Sequence, residues 1–117
     1  MADSQPDCLF CRILEGDAPS TEVLSTDNTY AFRDINPMAP THVLVIPRRH
    51  VTDAAAVGAE HGGILAEMFD SARQVADQEG LAGGYRLVFN VGDDSGNTVP
   101  HLHLHVLGGR RFGWPPG

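Results

Sequence analysis

The sequence predicts an α+β fold: an antiparallel sheet of about five strands with one long helix and a short N-terminal helix. Three observations carry that expectation. Short β-branched runs are joined by tight turns, and a single stretch has an extended helical period. The elements also fall in the order short helix, three strands, long helix, two strands.

From the N-terminus, Asp7 is placed to cap a short helix carrying Leu9, Phe10, Ile13 and Leu14, with Gly16 as the stop. Thr21 to Ser25 and Thr29 to Arg33 read as two strands around a turn at Asp27-Asn28. A third strand, His42 to Ile46, is apolar and β-branched and ends at Pro47. The long helix follows. Ile64, Leu65, Met68, Phe69, Ala72, Val75 and Ala76 recur at helical spacing, and Gly80 ends the run. After Gly83-Gly84, Tyr85 to Val91 reads as a strand, Gly92 to Thr98 as a polar loop and His101 to Leu107 as the last strand.

Length and composition bound the rest. The 117 residues suffice for one compact domain, 1–117, whose segment 110–117 is an extended tail with the only tryptophan. A formal charge of −7 argues against non-specific nucleic-acid binding, which needs a basic face. It leaves a small anionic ligand open, because a local field need not follow net charge. The first residues lack the basic start and apolar stretch of a signal peptide, and runs such as Val43 to Ile46 are too short to span a bilayer. Two cysteines make no disulfide framework, so a reducing cytoplasm is expected, with no membrane partner.

The chemistry concentrates in His101-Leu102-His103-Leu104-His105, which holds three of the six histidines. Side chains alternate along a strand, so the imidazoles share one side while Leu102, Leu104 and Val106 enter the core. A solvated face would more naturally use Thr, Lys or Glu. Alternating histidines can ligate zinc, and neutral imidazole near pH 7 is a good nucleophile and proton carrier. Attack on phosphorus would also need donors for the phosphate oxygens, which the backbone amides of Gly92 to Thr98 can supply. Geometry leaves metal and nucleophile open.

The wider pattern, His101-Leu-His-Leu-His-Val-Leu-Gly-Gly109, resembles the signature of the histidine triad nucleotide-binding family. Ala31 to Pro37 with Ala39 to Pro47 is similar to the family's ribose- and base-binding strands, and Gly84 to Asn90 to the strand bearing its phosphate-side asparagine. The ending Trp114-Pro-Pro-Gly117 looks like the tail of the Hint-like branch. The resemblance runs from about Cys8 to Gly117.

That resemblance implies a purine nucleotide-binding hydrolase. It would cleave nucleoside phosphoramidates or related conjugates at the α-phosphorus through a nucleotidyl-histidine. His103 would be the nucleophile, His105 would bind phosphate oxygen near the leaving group, and His42 would support it. Asn90, Asn97 and Thr98 match polar positions beside the phosphate and leaving group. Asp34 matches the acceptor of the ribose hydroxyls. Leu9, Phe10, Ile13, Phe32, Ile35 and Leu44 match the apolar base pocket of an AMP-type nucleotide. Two departures stand out: Asn97 occupies a position where the family often has Gln, and Pro100 removes a backbone donor. Both bear on the leaving group and neither on His103.

The resemblance further implies a homodimer built through the long helix and Tyr85 to Val91, with the Trp114 tail near the neighbour's site. Cys8 and Cys11, alone a weak Cys-x-x-Cys signal, would with His50 and His101 hold a structural zinc of Cys2His2 type. That pattern resembles bacterial triad proteins and the related hexose-phosphate uridylyltransferases. Rival expectations are a zinc-dependent hydrolase, with His101, His103 and His105 around a catalytic metal, and a non-catalytic nucleotide-binding scaffold.

Overall fold

The computed structural model describes residues 4–117. Helix α1, Leu9–Leu14, precedes strands β1 (Glu22–Ser25), β2 (Thr29–Arg33) and β3 (Thr41–Pro47). Helix α2, Gly62–Gln78, then leads to β4 (Tyr85–Val88) and β5 (Leu104–Gly108). The strands form one antiparallel sheet in the order β1-β2-β3-β5-β4. The expected α+β architecture is therefore the observed one.

Local chemistry explains the element ends. Past α2, Gly80 takes φ 72°, so its N–H reaches Asp77 O and the Leu81 N–H reaches Ala76 O. These two bonds satisfy carbonyls that the helix leaves open, and buried Leu81 pins the exit. Gly16, at φ 82°, similarly follows α1. The cap of α1 is not Asp7 but Cys8, whose sulfur accepts from the Cys11 N–H at 3.4 Å. Burial of both cysteines turns the thiol inward, whereas Asp7 is exposed.

The last two strands are shorter than their sequence patterns. β4 stops at Val88 rather than Val91, where its pairing with β5 ends at His105. The β5 ladder begins at Leu104 because the backbone before it has other partners. Leu102 N–H donates to Val51 O, and the His101 carbonyl accepts from the His103 ring. Alternation survives outside the ladder: Leu102, Leu104 and Val106 are buried, while His103 and His105 are half-buried.

Every residue of β3 is buried, because helices cover both faces of the sheet at its centre. Toward α2, Val43, Val45, Leu104 and Val106 pack with Met68, Ala72 and Val75 in a buried apolar core. On the opposite face, α1 supplies Phe10 and its two cysteines to a smaller cluster with Phe32, Leu44 and Ile46. The period of two thus sends one set of residues into the core and the next toward α1, and the histidines fall on the α1 side.

Candidate active site and metal centre

A cavity of about 450 Å³ opens between α1, β2, β3 and the loop before the triad. Leu9, Phe10, Ile13, Phe32 and Leu44 wall it, and Ile35 lies on its rim with 91% of its surface exposed. Asp34, Asn97, Thr98, His103 and His105 supply polar lining. Asn90 lies outside this lining, but its Nδ2 is 3.5 Å from His105 Nε2. The segment Ala18-Pro19-Ser20 also contributes a wall, held by a 2.7 Å hydrogen bond between Ser20 Oγ and the Tyr30 hydroxyl. Sequence patterning missed that wall, since an aperiodic loop carries no mark of what it faces.

Hydrogen-bond accounting assigns the histidine nitrogens. His103 Nδ1 lies 2.6 Å from the His101 carbonyl, an acceptor only, so Nδ1 carries the proton. The Nε2 lone pair is then free on the cavity side. His42 Nδ1 accepts the Met38 N–H at 3.0 Å, which places the proton of neutral His42 on Nε2. That N–H lies 2.9 Å from His105 Nδ1 and 3.4 Å from Asp34 Oδ2, so the shorter bond to His105 dominates. His105 in turn carries its own proton on Nε2, and the Asn90 side chain beside it accepts that proton with its amide turned to present Oδ1 in place of Nδ2. A backbone amide thus sets two rings in series, and the last presents a donor.

Burial keeps these rings neutral. It pushes His105 down to about 4, with neighbouring His103 and His42 lowering it further and Asp34 acting against them. Burial also lowers His42, partly offset by Asp34, and His103, partly offset by its bond to the His101 carbonyl and then by Asp34. Neutral imidazole is the form that can be a nucleophile.

His101 differs in kind. It is fully buried; its Nε2–H donates to the Pro47 carbonyl at 2.9 Å, and its Nδ1 faces Cys8 Sγ at 3.3 Å and Cys11 Sγ at 3.5 Å. His50 Nδ1 stands 3.3 Å from Cys11 Sγ. The four ligand atoms lie within 4.8 Å of one another. Zinc bonds of about 2.3 Å to sulfur and about 2.0–2.1 Å to nitrogen, at tetrahedral angles, set sulfur and nitrogen about 3.5 Å apart. The donor set therefore fits a tetrahedral zinc, and the Pro47 carbonyl fixes the tautomer that leaves Nδ1 as ligand. Burial also pushes His101 down to about 4, keeping it neutral as a ligand must be, and raises the Cys11 thiol.

The three triad rings do not form a metal cage. Among the described residues, His101 groups with the cysteines and His50, whereas His105 groups with Asp34 and His42. In that second group both nitrogens of His42 are engaged by Met38 and His105, which makes it a hydrogen-bond chain.

The tail past Gly109 holds Phe112 between the guanidinium groups of Arg86 and Arg110, at 4.9 and 4.2 Å from its ring centroid. Trp114 beyond it is 84% exposed. No described helix is long and apolar enough to cross a membrane.

The HIT domain family model matches residues 15–112. A solved HIT family hydrolase from Legionella pneumophila superposes with a TM-score of 0.92 at 48% identity, covering 95% of this chain and all of that one. A 14 kDa zinc-binding protein of Zea mays is 45% identical over 93% of this chain and 87% of its own length. The adenylylsulfatase HINT1 of Arabidopsis thaliana is 42% identical over 93% and 76%, respectively. With the matched domain model covering most of its length, this chain belongs to the HIT domain, or histidine triad, family.

Proposed function

We propose that this chain is a nucleotide hydrolase that cleaves nucleoside phosphoramidates or related conjugates at the α-phosphorus, with His103 as nucleophile. One observation carries the reading: the 2.6 Å bond from His103 Nδ1 to the His101 carbonyl, which leaves Nε2 free beside a nucleotide-sized cavity. The solved hydrolase from Legionella pneumophila and the adenylylsulfatase HINT1 support hydrolysis as the reaction class.

In the first step the Nε2 pair attacks phosphorus and the bond to the leaving atom breaks. The leaving group departs with that electron pair and takes up a proton from solvent, which the water of the second step gives back. The His105 Nε2–H donates to a phosphate oxygen or the leaving atom, held in register by His42. Water then attacks phosphorus in the nucleotidyl-histidine, and the P–N bond breaks to restore the Nε2 lone pair. Over both steps one water is consumed, with its hydroxyl on phosphorus and its proton on the leaving group. The apolar wall would stack a purine, Asp34 would accept from the ribose hydroxyls, and Asn90, Asn97 and Thr98 would border the phosphate.

Cys8, Cys11, His50 and His101 would hold a structural zinc, which when bound closes a tetrahedral site tying α1 to the sheet. Thiolate ligands suit a reducing cytoplasm. A homodimer is supported by the sheet-edge strand β4, where Tyr85 and Leu87 are 40% and 38% exposed, and by Phe69 of α2, 42% exposed and edge-on to Phe89 just past β4. Light scattering at micromolar concentration should give twice the chain mass, and Leu87→Glu should halve it. A wild-type monomer would remove the dimer.

The decisive test is turnover of adenylate and guanylate phosphoramidates, with trapping of the covalent nucleotide. His103→Ala should lose at least about a thousandfold in turnover while retaining nucleotide affinity, as expected for loss of a nucleophile. Near-normal turnover in that variant would end the covalent reading. Affinity without turnover in the wild type would favour a binding scaffold instead.

A further inference from the structure

Cys8 and Cys11 are separated by Leu9 and Phe10, and both intervening residues wall the nucleotide cavity. The metal-ready turn and the cavity wall are therefore the same piece of chain. Helix α1 has only six residues, too few to hold its shape unaided. What fixes it is packing and whatever ties its two cysteines to the sheet.

Phe10 extends the connection. It is buried, and its ring stands edge-on to His103 with centroids 5.1 Å apart and planes at 88°. Its other aromatic neighbours are Phe32, also edge-on, at 5.4 Å, and the His101 ring, edge-on at 6.0 Å. Displacing α1 would therefore move both the cavity wall and a surface against which His103 rests.

The second link runs through His101. Its side chain turns Nδ1 toward the two sulfurs and anchors Nε2 on Pro47, while its main-chain carbonyl accepts the His103 Nδ1 proton. One residue faces the thiols with its ring and sets the tautomer of the cavity histidine with its backbone. Displacement of His101 from the sulfurs would carry with it the carbonyl that holds the His103 ring.

We propose that the Cys8, Cys11, His50 and His101 centre is a positioning element of the nucleotide site. Metal held there fixes the Leu9–Phe10 wall and the His101 carbonyl that orients His103, so metal and nucleotide bind cooperatively. This rests on the nucleotide and zinc readings above. Coupling between linked sites is commonly about 5- to 150-fold, and it is reciprocal. Zinc should raise AMP affinity, and AMP should raise zinc affinity by the same factor.

The experiment compares the zinc-loaded chain with the same chain stripped by a chelator. AMP affinity is measured by calorimetry, zinc affinity with and without AMP by competition with a chelating dye, and the imidazole tautomers by long-range nitrogen-proton spectra. His103→Ala identifies the His103 signals. Stripping should weaken AMP binding by about tenfold, within the range expected of coupled sites. It should also convert the single Nδ1–H form of His103 into a mixture, with circular dichroism of the sheet unchanged. Equal AMP affinity and an unchanged His103 tautomer in both forms overturn the proposal. A chain that takes up no zinc overturns it through its metal, and a loaded chain that does not bind AMP overturns the nucleotide reading beneath it. Should the stripped chain lose its sheet, His50→Ala is titrated with zinc under conditions where the fold persists. AMP affinity that tracks occupancy supports the proposal, and affinity that ignores it refutes it.

Discussion

The two faces of the sheet hold their partners by different rules, although β3 and β5 contribute alternate residues to both. Toward α2 the contacts are apolar: Val43, Val45, Leu104 and Val106 against Met68, Ala72 and Val75. Volume and shape are what matter there. Toward α1 the same strands present Leu44 and the polar residues His42 and His105, with His103 just before β5. On that side each ring nitrogen except His103 Nε2 has an assigned partner, and losing one leaves another buried group unpaired. A core face therefore tolerates exchange of one apolar residue for another of like volume, while the site face depends on the identity of single atoms.

The largest effect that sharpens this contrast is on stability. Met68 is fully buried against the sheet, so Met68→Ala should cost roughly 2–5 kcal/mol of folding free energy through lost contacts and a cavity. Turnover per folded molecule should stay close to wild type, because nothing on α2 lines the nucleotide cavity. Urea titration and active-site counting separate the two quantities. A loss of turnover larger than the loss of folded protein would show that the faces are not independent.

The opposite pattern is expected on the site face. His42→Ala removes the ring between the Met38 amide and His105, leaving His105 Nδ1 without its donor. An unpaired buried group costs about 1–3 kcal/mol, so turnover should fall roughly ten- to a hundredfold. The effect should lie in kcat more than in KM, because His42 does not line the cavity. His42→Gln, whose amide can still donate, should recover part of it. Equal loss in both variants would mean that His42 serves only as packing.

How much of each face could be read in advance follows the same divide. The α2 face was legible because periodicity is a property of many residues: the apolar run from Ile64 to Ala76 outlines α2, and Thr29–Arg33 is the strand its pattern predicts. The histidine alternation was legible for the same reason. Cys8, Cys11, His50 and His101, spread over most of the chain, were grouped through resemblance, and the fold brings them together. What escaped the sequence were single-atom relations. A thiol in place of Asp7 as helix cap, the Met38 amide that sets two tautomers, and the Ala18–Ser20 wall all depend on backbone paths with no compositional mark. The shortened start of β5 has the same origin, since the backbone around His101 is committed to Val51 and to His103.

The smallest expected effect is a pH dependence that only the site face can produce. His105 is held down to about 4 by burial, with His103 and His42 lowering it and Asp34 opposing them; the unfolded chain has the ordinary histidine value near 6.5. Above about pH 6.5 the ring is neutral in both states and adds no slope. Between about 6.5 and 4 the unfolded chain binds a proton that the folded chain refuses, so stability falls as pH falls. Below about 4 both states are protonated and this contribution levels off. Activity should decline over the lower part of the same window, as the relay through His42 is broken by a proton on His105 Nδ1. Melting temperature measured from pH 7.5 to 4.5 should therefore drop more steeply for the wild type than for His105→Asn, which has no titrating ring at that position. His101 shifts in the same direction but is present in both proteins, so the difference between the two curves isolates His105. Parallel curves would mean that His105 titrates near its ordinary value and that the site face, like the core face, is indifferent to protons over this range.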